Sequence, residues 1–153
     1  MKKILMLFTL AVTSLGFANA SNMASANPVL DAYVVVATAL ANDDLAAAKK
    51  AAAALAETAK SENQPALAEH AIEVVSSNSL DAARERFKAT SVEAVKLAEG
   101  KAGYYVFTCP MAKAEWVQKV KDVQNPYMGK EMPGCGSIKA GTSASMKMGS
   151  CCG

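Results

Sequence analysis

Histidine is almost missing from this chain of 153 residues, which contains a single one, His70. A catalytic nucleophile assisted by a histidine and an acid would depend on that one residue, and no such set is recognisable. A common zinc site is also disfavoured, because there is no second histidine and no pair of cysteines separated by two residues. No glycine-rich loop that could cradle a phosphate is present either. These absences predict that the protein is not an enzyme.

A run of apolar residues long enough to span a bilayer is missing too. The chain opens with Lys2 and Lys3, an apolar stretch at residues 4–15 and a small-residue sequence at residues 18–20. This order is typical of a secretory signal peptide. We therefore expect residues 1–20 to direct export to the periplasm of a Gram-negative bacterium, with no stable membrane insertion after cleavage. A retained anchor is the alternative.

An excess of charge is the third absence. The chain has 16 Lys and Arg against 14 Asp and Glu, and the loss of Lys2 and Lys3 with the signal peptide makes the numbers equal. A neutral mature chain has no general electrostatic attraction to nucleic acid or anionic lipid, so a nucleic-acid partner is not expected. The length suits one domain with a modest core. Export would place the four cysteines where disulfides form.

Alanine-rich sequence with a helical pattern occupies residues 27–99. Apolar residues recur there at spacings of three and four, which predicts four helices separated by short polar breaks. The predicted breaks are Asn42–Asp44, Ser61–Pro65 and Ser76–Ser79. Asp43 is expected to cap or begin the second helix, and Gly100 to end the fourth. The predicted fold class is all-α, an antiparallel up-down four-helix bundle, because short connections favour antiparallel neighbours.

The sequence changes character after Gly100. Residues 104–108 are aromatic and β-branched, which indicates an extended segment or a short strand. Residues 104–136 form a Cys/Met-rich irregular C-terminal segment, so the predicted bundle domain with this segment is 27–136. Residues 21–26 are expected to be a flexible mature N-terminus, and residues 137–153 a disordered Met/Cys tail.

Sulfur-bearing side chains are concentrated in this segment. Thiolate and thioether groups are soft donors, which select ions such as Cu(I) or Ag(I) over hard cations. Cys109 and Met111 are two residues apart, so both would face the same side of an extended chain. Met132 and Cys135 flank a Pro-Gly pair, where a turn could bring their sulfurs together. These four residues are the predicted metal ligands, and Cu(I) or Ag(I) is the predicted ion.

Further donors are secondary candidates. His70 lies between Leu67 and Val74 at helical spacing, and is either a packed or surface residue or an imidazole ligand. Met128 is a secondary thioether candidate. The tail could capture metal, pair between chains or do neither. Its candidate donors are Met146, Met148, Cys151 and Cys152.

A disulfide between Cys109 and Cys135 is the main alternative to a metal site. An oxidising compartment makes such a bond ordinary, and the bond would pin the segment to itself. Metal binding would require both cysteines to be reduced, so one protein could alternate between the two states. Met111, Met128 and Met132 favour the metal, since a disulfide does not need them, although methionine also fills gaps in cores.

At these residues the chain resembles the DUF3347 family of exported helical domains. The resemblance spans residues 29–138 and rests on short stretches of sequence. They are Asn42–Asp44 with the Ala-rich helix after it, His70-Ala71, Arg84–Phe87 with Ser91, Cys109–Met111, and Asn125–Met132 with Cys135-Gly136. The resemblance implies a helical bundle and an exported location. It also implies an association with copper and silver efflux, because some members accompany heavy-metal efflux adaptors.

The sequence therefore predicts a periplasmic Cu(I)- or Ag(I)-binding protein that acts as a chaperone, a buffer or an accessory to heavy-metal efflux. Its expected partners are the metal ion and an efflux adaptor or another envelope protein. The alternative is a disulfide-stapled helical interaction module of the cell envelope that binds no metal. A thiol–disulfide enzyme is the least supported reading, because no environment that lowers a cysteine pKa is recognisable in the sequence.

Overall fold

The structure is a computed structural model that describes residues 26–139. Its four helices are α1 (Pro28–Ala41), α2 (Leu45–Ser61), α3 (Pro65–Val75) and α4 (Leu80–Ala98). Its three strands are β1 (Tyr105–Cys109), β2 (Ala114–Gln118) and β3 (Ser137–Ile138). The predicted signal peptide, residues 21–25 and tail residues 140–153 lie outside the described residues.

Side chains that cap the helices determine where they begin. Asn27 accepts a backbone N–H of the first turn of α1 at 3.0 Å, and Pro28 follows it, where the missing proline N–H has no intrahelical partner to lose. Asp44 caps α2 by accepting a backbone N–H at 2.8 Å. The expected role of Asp43 as a cap or first-turn acid is therefore wrong. Its φ of 58° places it in the turn between the helices.

Each helix packs against the helix that follows it in the chain. Small side chains of α2 are fully buried at these contacts, including Ala48, Ala52 and Ala59. Tyr33 of α1 and Phe87 of α4 stack with ring centroids 4.9 Å apart, which joins the first helix to the last. The prediction of four helices is confirmed. Within residues 26–139, none of the helices has the length and hydropathy needed to cross a membrane.

A three-stranded antiparallel sheet lies beside the helices, in the order β2-β1-β3. Phe107 in β1 pairs with Trp116 on one side and with Ile138 on the other. The rings of Phe107 and Trp116 stack at 5.3 Å and are fully buried. Strand β2 packs against α1 and α4. The sheet therefore extends the hydrophobic core of the helices.

The predicted all-α class is wrong for the C-terminal segment. Residues 104–108 are expected to be extended and largely form β1, whereas Ala114–Gln118, expected to be irregular, form β2. Strand β3 occupies the first residues of the predicted tail. Burial of Trp116 and Val117 explains β2, because it removes their backbone groups from water and strand pairing then supplies hydrogen-bond partners.

Candidate metal centre

Two thiols converge at the end of the sheet. Cys109 is the last residue of β1 and is fully buried, while Cys135 is half-buried in the loop before β3. Both are free cysteines, and their Sγ atoms lie 2.9 Å apart although 26 positions separate them in the sequence. The fold thus places the two predicted cysteines in one site.

The turn after β1 brings backbone N–H donors close to the sulfur of Cys109. The backbone N–H of Ala112 reaches Sγ at 3.5 Å, and Lys113 completes the turn with a φ of 49°. Burial opposes ionisation of Cys109, but hydrogen bonds from the Cys135 thiol, the turn and the Asn125 side chain lower its pKa. The turn and Asn125 thus favour the thiolate form of Cys109.

Cys135 has the opposite bias. Its hydrogen bond to Cys109 raises the pKa of the Cys135 thiol, and partial burial acts in the same direction. Two thiols in contact titrate as a pair, and the second proton is harder to remove than the first. A cation that binds both sulfurs would have to displace that second proton.

Asn125 holds the cysteine loop together. Its buried side chain donates from Nδ2 to the carbonyl of Cys135 at 2.6 Å, and Oδ1 accepts the N–H groups of Tyr127 at 2.9 Å and Met128 at 3.2 Å. Its own N–H donates to the carbonyl of Pro133 at 3.1 Å. Asparagine suits this position because one side chain supplies both donors and an acceptor. The position of Cys135 therefore depends on this amide.

Arg84 of α4 joins the same loop to the helices. Its guanidinium donates to the carbonyl of Pro126 at 3.1 Å and to the carbonyl of Leu40 at 3.1 Å, and pairs with the carboxylate of Asp43. Asp43 also accepts the N–H of Lys130 at 3.2 Å. The bond from Arg84 lowers the pKa of Asp43 against the smaller, opposite effect of burial. The loop is thus attached to both α4 and the α1–α2 turn.

Two glycines allow the loop to lie this close to its neighbours. Gly129 has a φ of 54°, and a methyl group there would overlap the ion pair of Arg84. Gly136 has a φ of 137°, and a Cβ atom there would lie 2.6 Å from the ring of Trp116. Trp116 is the only tryptophan of the chain. Its ring therefore touches the residue next to Cys135.

The predicted methionine ligands separate into two groups. The carbonyl of Met132 accepts the N–H of Cys135 at 3.2 Å, so these two residues share a turn. Met111 is 62% exposed and lines an outward cavity of about 280 Å³ together with Met128, which is half-buried. Strand β1 ends at Cys109, so the alternation expected to place Met111 on the same side does not continue to that residue.

His70 is placed away from the thiols. It lies on α3, which packs chiefly against α2 and α4, and its Nδ1 lies 3.7 Å from the carboxylate of Glu73. No hydrogen bond or ion pair among the described residues joins His70 to the cysteine loop. The structure places His70 at the partly exposed edge of α3, a position that suits a packed or surface residue.

The remaining candidate donors are the sulfur-bearing residues of the tail. The tail candidates lie outside residues 26–139; they are Met146, Met148, Cys151 and Cys152. Within 26–139, no group of three or more His, Cys, Asp and Glu side chains is arranged to hold a metal ion. The donors that remain in this range are the two thiols and the thioethers near them.

Fold and site together define a four-helix domain with a small sheet, whose last loop brings two thiols into contact. Residues 29–103 match the family model DUF3347, a protein of unknown function. The predicted family is confirmed. The match ends before Cys109, whereas the resemblance is expected to reach residue 138. No curated protein and no solved structure matches the chain.

Three residues that build the site have no predicted role in it: Asn125, Arg84 and Asp43. All three stand in stretches on which the family resemblance rests, so a signal was present. Arg84 and Asp43 bond backbone groups of a distant segment, whereas Asn125 bonds backbone groups of its own loop. Neither kind of contact leaves a spacing pattern in the sequence. The lowered pKa of Cys109 could not be predicted from the sequence either, because its hydrogen bonds with Cys135 and Asn125 form only in the folded protein.

Proposed function

We propose that this protein binds one soft monovalent ion, Cu(I) or Ag(I), through the sulfurs of Cys109 and Cys135. The observation that carries the proposal is the approach of these sulfurs to 2.9 Å from distant parts of the chain. Thiolates select soft ions, and such ions accept few ligands. The hydrogen bonds that lower the pKa of Cys109 favour the thiolate form, which is the form that binds such an ion.

Metal loading requires the two thiols to separate. An ion that bonds to both sulfurs cannot enter between them while they lie 2.9 Å apart. Cys109 is fixed in the buried strand, so we assign the movement to Cys135, which follows the exposed Pro133 and Gly134. Met132, which shares a turn with Cys135, is the proposed third donor.

The proposed role is that of a periplasmic chaperone, buffer or accessory to heavy-metal efflux, without catalytic activity. The signal-like sequence at residues 1–20 supports the compartment. The proposed partners are the metal ion and an efflux adaptor or another envelope protein. The proposal keeps the antiparallel up-down order of the helices, which their short connections support.

A disulfide-stapled interaction module without metal is the second candidate. The same contact favours it, because thiols that already touch need only lose two protons and two electrons, to an oxidant of the compartment, to form the bond. The bond would hold the last loop against the sheet. A protein in this state would present a fixed surface to a partner and bind no soft ion at this site.

Native mass spectrometry of the reduced full chain separates the two candidates. Titration with Cu(I), Ag(I) and Zn(II) is expected to show one Cu(I) or Ag(I) bound through these thiols in the wild type. A Cys109→Ser, Cys135→Ser variant should not bind that ion. A Cys151→Ser, Cys152→Ser variant is the matched control and should retain that ion. Equal uptake by the first variant and the wild type would remove the proposed site. A bond that resists mild reduction, with no uptake, would favour the interaction module.

Trp116 provides an independent readout. Its buried ring touches Gly136, so displacement of Cys135 on loading should change its emission. The change should saturate at the stoichiometry found by mass spectrometry. The Cys109→Ser, Cys135→Ser variant should show no such change at the same metal concentration.

A further inference from the structure

We propose that Met111 and Met128 form a second binding site for a soft monovalent cation, independent of the thiols. Both thioethers line the cavity of about 280 Å³ between α4 and the cysteine loop. The proposal rests on the proposed function, because it assigns the same class of ion to a separate subsite. It differs in its donors, which are thioethers rather than thiolates.

The exposure of Met111 is the first argument. Methionine commonly fills irregular gaps in a core, but this side chain is 62% exposed and fills none. It lies on the turn that follows Cys109, where the residue is open to an ion from solvent.

Met128 supplies the second donor from a rigid part of the loop. Its N–H donates to Asn125 at 3.2 Å, and its half-buried side chain packs partly against the core. One end of the pair is therefore held in place while the other, Met111, is free to adjust. Both residues carry soft thioether donors, and the shared cavity places the two residues on one surface.

The charges around the cavity do not oppose a cation. Arg84 is paired with Asp43, and Lys88 is paired with Glu85 at 2.7 Å. Asp81, which also lines the cavity, is almost fully exposed and lies 3.9 Å from Arg84. Both basic groups of the lining thus have carboxylate partners, and a monovalent ion meets no uncompensated positive charge.

Thioether chemistry separates this site from the thiol pair. A thioether has no proton to lose and is not consumed when Cys109 and Cys135 form a disulfide, whereas a cysteine must be deprotonated and reduced to bind. The thioether site should therefore bind in the oxidised protein and show little pH dependence.

The test uses Ag(I) alone on the full chain with all four cysteines replaced by serine and the methionine methyl groups labelled with ¹³C. The methyl signals of Met111 and Met128 are expected to move together and to saturate on one binding curve. A Met111→Leu substitution should weaken the response of Met128 about tenfold, because one of two soft donors is lost. Met132→Leu is the matched control and should leave both responses unchanged.

An unchanged response of Met128 in the Met111→Leu variant would overturn the shared site. So would signals that move without saturation, in parallel with those of Met146 and Met148. The two proposals fail separately. If the thiols of the wild type bind one ion while the methyl signals of Met111 and Met128 do not respond, only the thiol site remains. If those methyl signals respond while the thiols bind no ion, only the thioether site remains.

Discussion

The side-chain amide of Asn125 donates a hydrogen bond to the carbonyl oxygen of Cys135 at 2.6 Å. Asn125 is fully buried, and the loop that it spans has little regular secondary structure. Bonds from one side chain to the backbone therefore replace the hydrogen-bond ladder that would hold a strand. The relative position of the two thiols follows from this contact.

Replacing Asn125 with aspartate tests that relationship. Aspartate keeps the size and the acceptor contacts to Tyr127 and Met128 but loses the N–H donor, so a carboxylate oxygen would face the carbonyl of Cys135. We expect the free energy of unfolding to fall by about 1–3 kcal/mol. Disulfide formation between Cys109 and Cys135 under a mild oxidant should also slow.

Urea denaturation measures the first effect, and the disappearance of free thiol measures the second. A Gln124→Glu variant adds the same charge to an exposed neighbour and should change neither. If Asn125→Asp oxidised at the wild-type rate, Asn125 would not position Cys135.

The bond between Arg84 and Asp43 should show coupled energetics. Arg84→Met leaves two backbone carbonyl groups and a carboxylate without their donor, and is expected to cost about 2–3 kcal/mol of stability. In a double-mutant cycle with Asp43→Asn, the two single effects should not add, because each substitution removes the same pair. Arg86→Met, on the exposed side of the same helix, is the control and should cost less. Strictly additive effects would show that the pair does not act as a unit.

Three Gly→Ala substitutions separate backbone strain from steric overlap. Gly134 has open space and no positive φ, so Gly134→Ala should be nearly neutral. Gly100 has a φ of 71° and open space, so Gly100→Ala should cost about 1 kcal/mol from strain alone. Gly129→Ala adds overlap with the Arg84 ion pair and should cost the most. Equal melting temperatures for Gly100→Ala and Gly129→Ala would show that the loop can move away.

The carboxyl group of Asp43 predicts a pH dependence of stability. Its bond from Arg84 lowers its pKa in the folded protein below the value in the unfolded chain, about 3.9. A depressed pKa stabilises the fold above that value, and the stabilisation is lost as the pH falls towards the folded pKa.

Urea denaturation of the wild type should therefore show a steeper loss of stability below about pH 4 than that of an Asp43→Asn variant. Between about pH 5 and 8 the two stability curves should run parallel, because the carboxyl group stays ionised in both the folded and unfolded wild type. Parallel curves through the acid range as well would contradict the role given to the ion pair.

The helices could be predicted well because their signals are local. Apolar spacing identifies one face of each helix, and Asn27 with Pro28 caps the first helix through residues directly beside it. The sheet was predicted only in part, because β2 and β3 become strands by pairing with β1 and by burial of Trp116. Asp43 shows the same limit, since its partner Arg84 lies 41 positions away.

By itself, the sequence determined the four helices, the match of residues 29–103 to the DUF3347 family model, and which sulfur-bearing residues were worth following. Only the tertiary structure decided that Cys109 and Cys135 meet while Met111 turns outward. The reason is that helix formation depends on residues three and four positions apart. The site instead depends on hydrogen bonds from Asn125 and Arg84 to backbone groups brought near by folding.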